Sequence, residues 1–260
     1  MLDTHRSVPR RIGDTADVTT DQAGSSPAAP SAPLSVAFCP CPPLLLPAVE
    51  GRATPETTAL RRACAEAVEA LLATGPEAVV VVGPGGTGRY GPGDAGDLRG
   101  VGVDLEVPFA GGVRPGGRRT PLALTVGAWL LDEAGWSGLR LGVGPGDLDE
   151  ALAGLPGGVG VLALGDGSAR RSVKAPGYLD DAAEPFDAAV AAALAAGDAA
   201  GLAALDAAEG ERLLAAGVPV WRAVGRALAG RPVVAELRLD EAPFGVGYLV
   251  ASWSADRTAP

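Results

Sequence analysis

The stretch Val79-Val-Val-Val82 decides the fold class. Its β-branched residues follow one another without polar alternation, a pattern typical of a strand that is covered on both faces in the middle of an α/β sheet. A glycine-rich loop from Gly83 to Gly96 follows this run directly. We therefore expect a central sheet with helices on both faces, and a long loop at the carboxyl end of this strand.

Segments with strand and helix patterns alternate on both sides of this run. Leu34 to Cys39 is predicted to be a short buried strand, because the prolines that follow cannot continue a central ladder. Thr54-Pro-Glu56 combines the capping hydroxyl, first-turn proline and acidic residue of a helix start. The alternation predicts one α/β domain over residues 34–254, with a mostly parallel or mixed sheet.

Further segments extend this pattern to the end of the domain. A helix is predicted to begin at Thr120-Pro121, and several short helices are predicted in the alanine-rich region from Glu184 to Ala229. The remaining predicted strands are Val101–Val107, Leu139–Val143, Val159–Leu164, Val233–Leu239 and Val246–Ser252, the last two as a hairpin around Pro243.

Residues 1–33 are rich in Pro, Ser and Ala and predict a disordered tail. Arg6, Arg10 and Arg11 are followed by a polar stretch without an apolar segment, so no export signal is expected. The chain has 3 cysteines, and an odd count without an export signal indicates reduced thiols. The expected location is the cytoplasm.

The composition argues against two classes of partner. The net charge is −10, and Lys and Arg are dispersed without a basic stripe, so nucleic-acid binding is not expected. No segment approaches the about 20 apolar residues that a membrane helix needs, and an acidic surface repels anionic membranes.

The count of histidines restricts the chemistry most. The only one is His5, which lies in the predicted tail. Any mechanism that requires a histidine inside the folded domain is therefore excluded.

Three segments follow predicted strands, at the sheet edge where α/β proteins usually place their sites. They are Cys39–Pro47, Val82–Gly88 and Gly165–Asp180. In this order, and together with Phe244–Val250, they resemble the class III extradiol ring-cleavage dioxygenases, in particular the B-like members related to the beta chain of protocatechuate 4,5-dioxygenase. That family also includes the non-catalytic Memo-type proteins, and the resemblance covers roughly residues 34–253.

The resemblance implies an extradiol dioxygenase B-like fold. In active members, two histidines and a carboxylate hold Fe(II), and a further histidine serves as acid/base toward a catechol. The first ligand position matches Cys41, the second matches Gly85 or Gly86, and the acid/base position matches Ala169. Gly and Ala can neither coordinate a metal nor move a proton, so the resemblance implies no iron cofactor in this chain.

Two residues are the candidate metal ligands that remain. Cys41 could bind a soft metal as a thiolate. Glu241, with Glu236 and Asp240 beside it, lies in the region where the family places its carboxylate ligand. A site with a cysteine and a carboxylate is a poor substitute for two histidines and a carboxylate.

Polar residues of the third segment are candidates for catalysis or for binding. Ser168 with Lys174 could form a serine–lysine nucleophile, and the alternative is that Ser168 caps a turn while Lys174 is solvated. Arg170, Arg171 and Lys174 form a positive cluster that could bind a carboxylate or phosphate.

The same cluster has a structural alternative. In it, the arginines form salt bridges within the loop to Asp166, Asp180 or Asp181. Tyr178 is either a core residue or part of the binding surface. With Asp166, Ser168 and the positive cluster, it completes the expected contacts to a small anionic or polar ligand.

The glycine-rich segment Gly83–Gly88 invites comparison with phosphate-binding loops. It has no Lys-Ser/Thr pair and does not match the dinucleotide-binding spacing, so a surface loop is expected. Arg89 and Tyr90, which follow it, could line a pocket.

Three hypotheses for function remain open. The first is a dioxygenase-like domain that has lost iron catalysis and has a binding or scaffolding role. The second is an enzyme with an altered site, in which Cys41, Asp166, Ser168, Arg170 and Lys174 converge on a small polar or anionic substrate. The third is a dioxygenase component that a partner chain completes, and a homo-oligomer is also compatible with the sequence.

Overall fold

The computed structural model describes residues 34–255, and the predicted tail at 1–33 lies outside the described residues. The strands are β1 (Leu34–Cys39), β2 (Ala78–Val82), β3 (Arg89–Tyr90), β4 (Ala95–Asp97), β5 (Glu106–Pro108), β6 (Leu139–Val143), β7 (Val159–Leu164), β8 (Val233–Glu241) and β9 (Tyr248–Ala255). The helices are α1 (Pro47–Glu50), α2 (Pro55–Ala73), α3 (Leu122–Glu133), α4 (Leu148–Ala153), α5 (Ala183–Ala196), α6 (Ala199–Ala203), α7 (Ala207–Arg212) and α8 (Val218–Ala227).

Seven of the strands form one mixed sheet, in the order β3-β6-β2-β7-β1-β9-β8. The four central strands β6, β2, β7 and β1 run parallel, and β3 and β9 run antiparallel to them. β8 pairs antiparallel with β9 and so runs in the same direction as β1. β4 and β5 form a separate two-stranded sheet. The prediction of a single α/β domain with a mixed sheet is confirmed.

The core lies on both faces of the large sheet, because the side chains of each strand alternate between them. Val80 and Val82 face a cluster with α4, α5 and α8, whereas Val79 and Val81 face a cluster with α2 and α3. All four valines are fully buried, as expected for a strand covered on both sides. The predicted hairpin of β8 and β9 is also present.

The start of α2 forms as the sequence predicts. The side chain of Thr54 accepts a hydrogen bond from the N–H of Thr57, the Thr57 side chain reciprocates, and Pro55 occupies the first turn. No helix in the described part of the chain combines the length and the apolar character needed to cross a membrane.

The predicted strand Val101–Val107 is wrong over most of its length. Only Glu106–Pro108 is a strand, while Arg99–Val101 forms a short 3-10 turn. Gly102 follows that turn with a φ of 83°, in the left-handed region that ends extended structure. The weak alternation of valines over these residues was therefore not a strand signal.

The parallel strands bring the segments after β1, β2 and β7 to one edge of the sheet, here called the carboxyl edge. Strand β9 begins at this same edge, since it runs antiparallel to β1. The register that pairs Phe38 with Ala251 brings the first residue of β9, Tyr248, alongside the segment that follows β1. Residues distant in sequence therefore meet here.

Candidate functional site

Cys41 and Asp166 meet at the carboxyl edge. The backbone N–H of Cys41 donates a hydrogen bond of 2.8 Å to Oδ1 of Asp166. A backbone bond of 3.0 Å from Gly165 N to Cys39 O joins the same two segments. The chain after β1 is therefore held against the chain after β7, and both candidate residues lie in one place.

The carboxyl group of Asp166 is in an environment that disfavours its charge. Burial raises its pKa from 3.8 to about 6, although the hydrogen bond from Cys41 N opposes this shift. The side chain keeps some solvent access. Within residues 34–255, no Lys or Arg side chain pairs with it. The group is therefore poised to gain or lose a proton near pH 6.

Two further ionisable side chains surround this carboxyl group. Burial raises the pKa of the Cys41 thiol, and the Asp166 charge adds to the effect. Burial raises the pKa of the Tyr248 hydroxyl too, with smaller contributions from Asp166 and Cys41. Both side chains are almost fully buried. At neutral pH the site therefore presents a neutral thiol and a neutral phenol beside one carboxyl group.

Sequence reasoning missed Tyr248 as a site residue. It lies in the Phe244–Val250 segment that contributed to the family resemblance, but its position beside Cys41 depends on the antiparallel pairing of β9 with β1. Among the described residues, its hydroxyl has no hydrogen-bond partner, and its ring is 6.4 Å from that of Phe244. The sequence feature that could have identified it is a tyrosine directly after a glycine at the start of a predicted strand.

Ser168 holds the loop after β7 in place. Its side chain is fully buried, and its hydroxyl donates to the carbonyl of Leu213 at 2.8 Å while accepting from Arg170 N at 3.1 Å. A nucleophilic role would require the hydroxyl to give up its bond to Leu213 and to become accessible to a substrate. Lys174 is exposed, and no contact joins it to Ser168 within the described residues. The structure does not bring this pair together.

The two arginines of the predicted positive cluster are engaged inside the loop. Arg170 donates to the carbonyl of Gly177 at 2.6 Å, and its Nε is buried without a partner among the residues described. Arg171 forms an ion pair of 3.1 Å with Asp187 and a longer one of 3.8 Å with Glu184. The loop is thus salt-bridged, but to carboxylates other than the three expected.

Two of the three expected acidic partners of that loop have other contacts, and the third, Asp181, is exposed. Asp180 forms an ion pair with Arg212, and Asp166 accepts from Cys41. Tyr178 is 74% exposed at a φ of 61°, so the alternative that placed it in the core is wrong. Its role in binding a ligand stays a prediction.

Asp187 on α5 is the second residue that sequence reasoning missed. It is fully buried, and it accepts from Ser168 N at 2.8 Å as well as from Arg171. Burial raises its pKa, while Ser168 and Arg171 act in the opposite direction. An isolated acid among the alanines of α5 was the available signal.

The residues present do not fit an Fe(II) site with two histidines and a carboxylate. Glu241 is exposed at the end of β8, where it pairs across the strands with Tyr248, and β9 lies between it and the chain that holds Cys41. Gly85 and Gly86 have no donor side chain. No group of three or more His, Cys, Asp and Glu side chains within residues 34–255 could hold a metal ion together.

A mostly apolar groove of about 600 Å³ opens at the same edge of the sheet. Pro84, Leu214, Val218 and Pro219 contribute to its lining. The turn before α8 is tied to the site, because Gly217 N donates to the backbone carbonyl of Asp166 at 2.8 Å. Apolar surface is therefore available close to the polar cluster of Cys41, Asp166 and Tyr248.

Comparison with known proteins adds no relative to this picture. No protein-family model matches the chain, and no curated protein shows significant similarity to it.

Proposed function

We propose that the chain is a class III extradiol dioxygenase B-like domain that binds a small polar ligand at its carboxyl edge and does not perform iron-dependent ring cleavage. One observation carries the proposal. The positions that the resemblance assigns to the iron ligands and to the acid/base hold Cys41, Gly85 or Gly86, and Ala169. Of these residues only Cys41 has a side chain that could bind a metal, so the two-histidine site of the family is missing, whereas the edge still holds a polar cluster.

The polar cluster supports a binding role. The carboxyl group of Asp166 receives one hydrogen bond, from Cys41 N, and a carboxylate can accept about four. The hydroxyl of Tyr248 has no partner within residues 34–255. A ligand with hydrogen-bond donors and acceptors would satisfy both groups, and the neighbouring groove would bury an apolar part of the same ligand.

Metal content is the test of the non-oxygenase role. Protein purified without oxygen, and its Cys41→Ser variant, would be subjected to elemental analysis and assayed for catechol cleavage after addition of Fe(II). We expect no stoichiometric transition metal and no cleavage in either protein. Stoichiometric iron with ring cleavage would refute the proposal. Metal that disappears in the variant would instead show that Cys41 is a ligand of an altered metal site.

An enzyme with an altered site is the second candidate, and the pKa of Asp166 favours it. A carboxyl group with a pKa of about 6 can exchange a proton with a bound substrate near neutral pH. Turnover of any substrate would then depend on Asp166, with activity rising through pH 6 if the group acts as a base. Activity that persists in an Asp166→Asn variant would exclude this role.

The third hypothesis, a partner chain that completes the site, is tested separately. Purification from the native host at low ionic strength would retain such a partner. A second chain in stoichiometric amount would support it, and a single chain would refute it.

A further inference from the structure

A second groove, of about 330 Å³, lies in the segment between β2 and α3. The small sheet of β4 and β5 forms one side of it. The segment around Arg114–Arg119 forms the other side, and backbone bonds of 3.1 Å attach it, from Ala95 N to Arg118 O and from Arg114 N to Gly93 O. The groove therefore has a defined framework of its own.

The charge of this groove is opposite to that of the whole chain. Its lining contains four arginines and two carboxylates, in a protein whose net charge is −10. The arginines are Arg99, Arg114, Arg118 and Arg119, and the carboxylates are Asp97 and Glu106. Such a local excess of positive charge favours an anion.

Arg118 is fixed in direction but carries an uncompensated charge. Its two terminal nitrogens donate to the carbonyls of Arg89 and Thr87, at 2.7 and 2.6 Å. Its guanidinium carbon lies 4.1 Å from the centroid of the Tyr90 ring. These partners orient the side chain without neutralising it. Within residues 34–255, Asp94 forms no ion pair with this guanidinium, and its oxygens accept the backbone N–H groups of Gly91 and of Arg118 itself.

Arg114 supplies a second uncompensated charge. Within residues 34–255, its guanidinium forms no hydrogen bond or ion pair. A Cβ atom at Gly93 would lie 2.9 Å from its Cδ, so the glycine leaves space for the aliphatic part of the arginine. Arg99 and Arg119 differ from it, because both contact the carboxylate of Asp97.

We propose that this groove is a binding site for a small ligand with a phosphate or carboxylate group, held between Arg114 and Arg118. A guanidinium presents paired N–H donors that match two oxygens of such a group. One arginine is already oriented by its backbone partners, and the other is free to close on the ligand. Phosphate and carboxylate groups bind to arginine in the same way, so an experiment is needed to decide which of the two groups the ligand carries.

The test is isothermal titration of the full chain with inorganic phosphate, and separately with succinate, at constant ionic strength. We expect saturable binding of at least one of the two anions. Arg114→Gln should weaken it about tenfold, because a charge-assisted hydrogen bond is lost. Arg114→Lys should also weaken binding, because lysine lacks the paired N–H donors of a guanidinium. The effect should be smaller, because lysine keeps the positive charge. The anion that binds more tightly identifies the group.

Arg52→Gln is the matched control, because Arg52 is an exposed arginine away from the groove and its loss changes the net charge equally. Its affinity should equal that of the wild type. The proposal is overturned if neither anion saturates the wild type, or if Arg52→Gln weakens binding as much as Arg114→Gln. It is also overturned if a DNA oligonucleotide binds the groove more tightly than either anion.

Discussion

Replacement of Asp166 by Asn should stabilise the protein at neutral pH. The ionised carboxylate lies in an environment that burial makes unfavourable for charge, and no cation within residues 34–255 compensates it. Asparagine keeps an oxygen that can accept the hydrogen bond from Cys41 N, but it carries no charge. The variant therefore removes the penalty and retains the contact.

The magnitude follows from the displaced pKa. A rise from 3.8 to about 6 makes the ionised form unfavourable by about 3 kcal/mol in the folded state. Because the side chain keeps some solvent access, screening reduces this to about 2 kcal/mol. For a domain of this size, that gain corresponds to a rise in Tm of roughly 4–8 °C.

The direction of the pKa shift determines how the stability of the wild type changes with pH. The folded state binds the proton more tightly than the unfolded state, so the penalty is absent below about pH 3.8 and complete above about pH 6. Between these values, the wild type should lose stability relative to Asp166→Asn as pH rises. The assay is urea unfolding of both proteins from pH 4 to pH 8, with Asp181→Asn as an exposed control of equal charge change. A constant difference across this range would refute the reasoning.

Two further substitutions should destabilise the protein. Asp187→Ala removes the partner of both Ser168 N and Arg171 and should lower the free energy of unfolding by about 3 kcal/mol, as measured by urea unfolding at pH 7. Gly127→Ala places a Cβ atom 2.5 Å from Cγ1 of Val81, between α3 and β2. It should cost about 2 kcal/mol in the same assay, despite the higher helix propensity of alanine.

Each of these substitutions has a matched control. Asp181→Ala removes an exposed carboxylate from the segment before α5, and its effect should stay within about 0.5 kcal/mol. Gly146→Ala adds a methyl group into open space, so it should be similarly neutral. If either control destabilises as much as its partner, the structural explanation fails.

The sequence predicted those parts of the fold that depend on local patterns. The run Val79–Val82 is a fully buried central strand, as predicted. The prediction was possible because a strand that is covered on both faces consists of apolar residues without polar ones in alternation. Strand order was beyond prediction, since β1 pairs with β7 and β9, which lie far away in the chain. Local sequence patterns do not specify which distant strands pair with each other.

The candidate site divides in the same way. Position after a strand correctly placed Cys41 and Asp166 at one edge, because parallel strands end together. The partners of Arg170 and Arg171 could not be predicted, since they are a carbonyl within the loop and a carboxylate on a helix that packs against it. Tyr248 required the register of an antiparallel strand.

The two acids near the carboxyl edge differ in a way that separates structure from function. Asp187 is held by an arginine and a backbone N–H, so its burial stabilises the loop that it anchors. Asp166 has a single backbone donor and no cation partner within the described residues, and its pKa of about 6 shows that its charge is disfavoured. The fold gains little from Asp166 that an asparagine would not provide. An ionisable group with so small a structural role, beside a neutral thiol and a neutral phenol, supports the binding site proposed above, because perturbed ionisable groups cluster at functional sites.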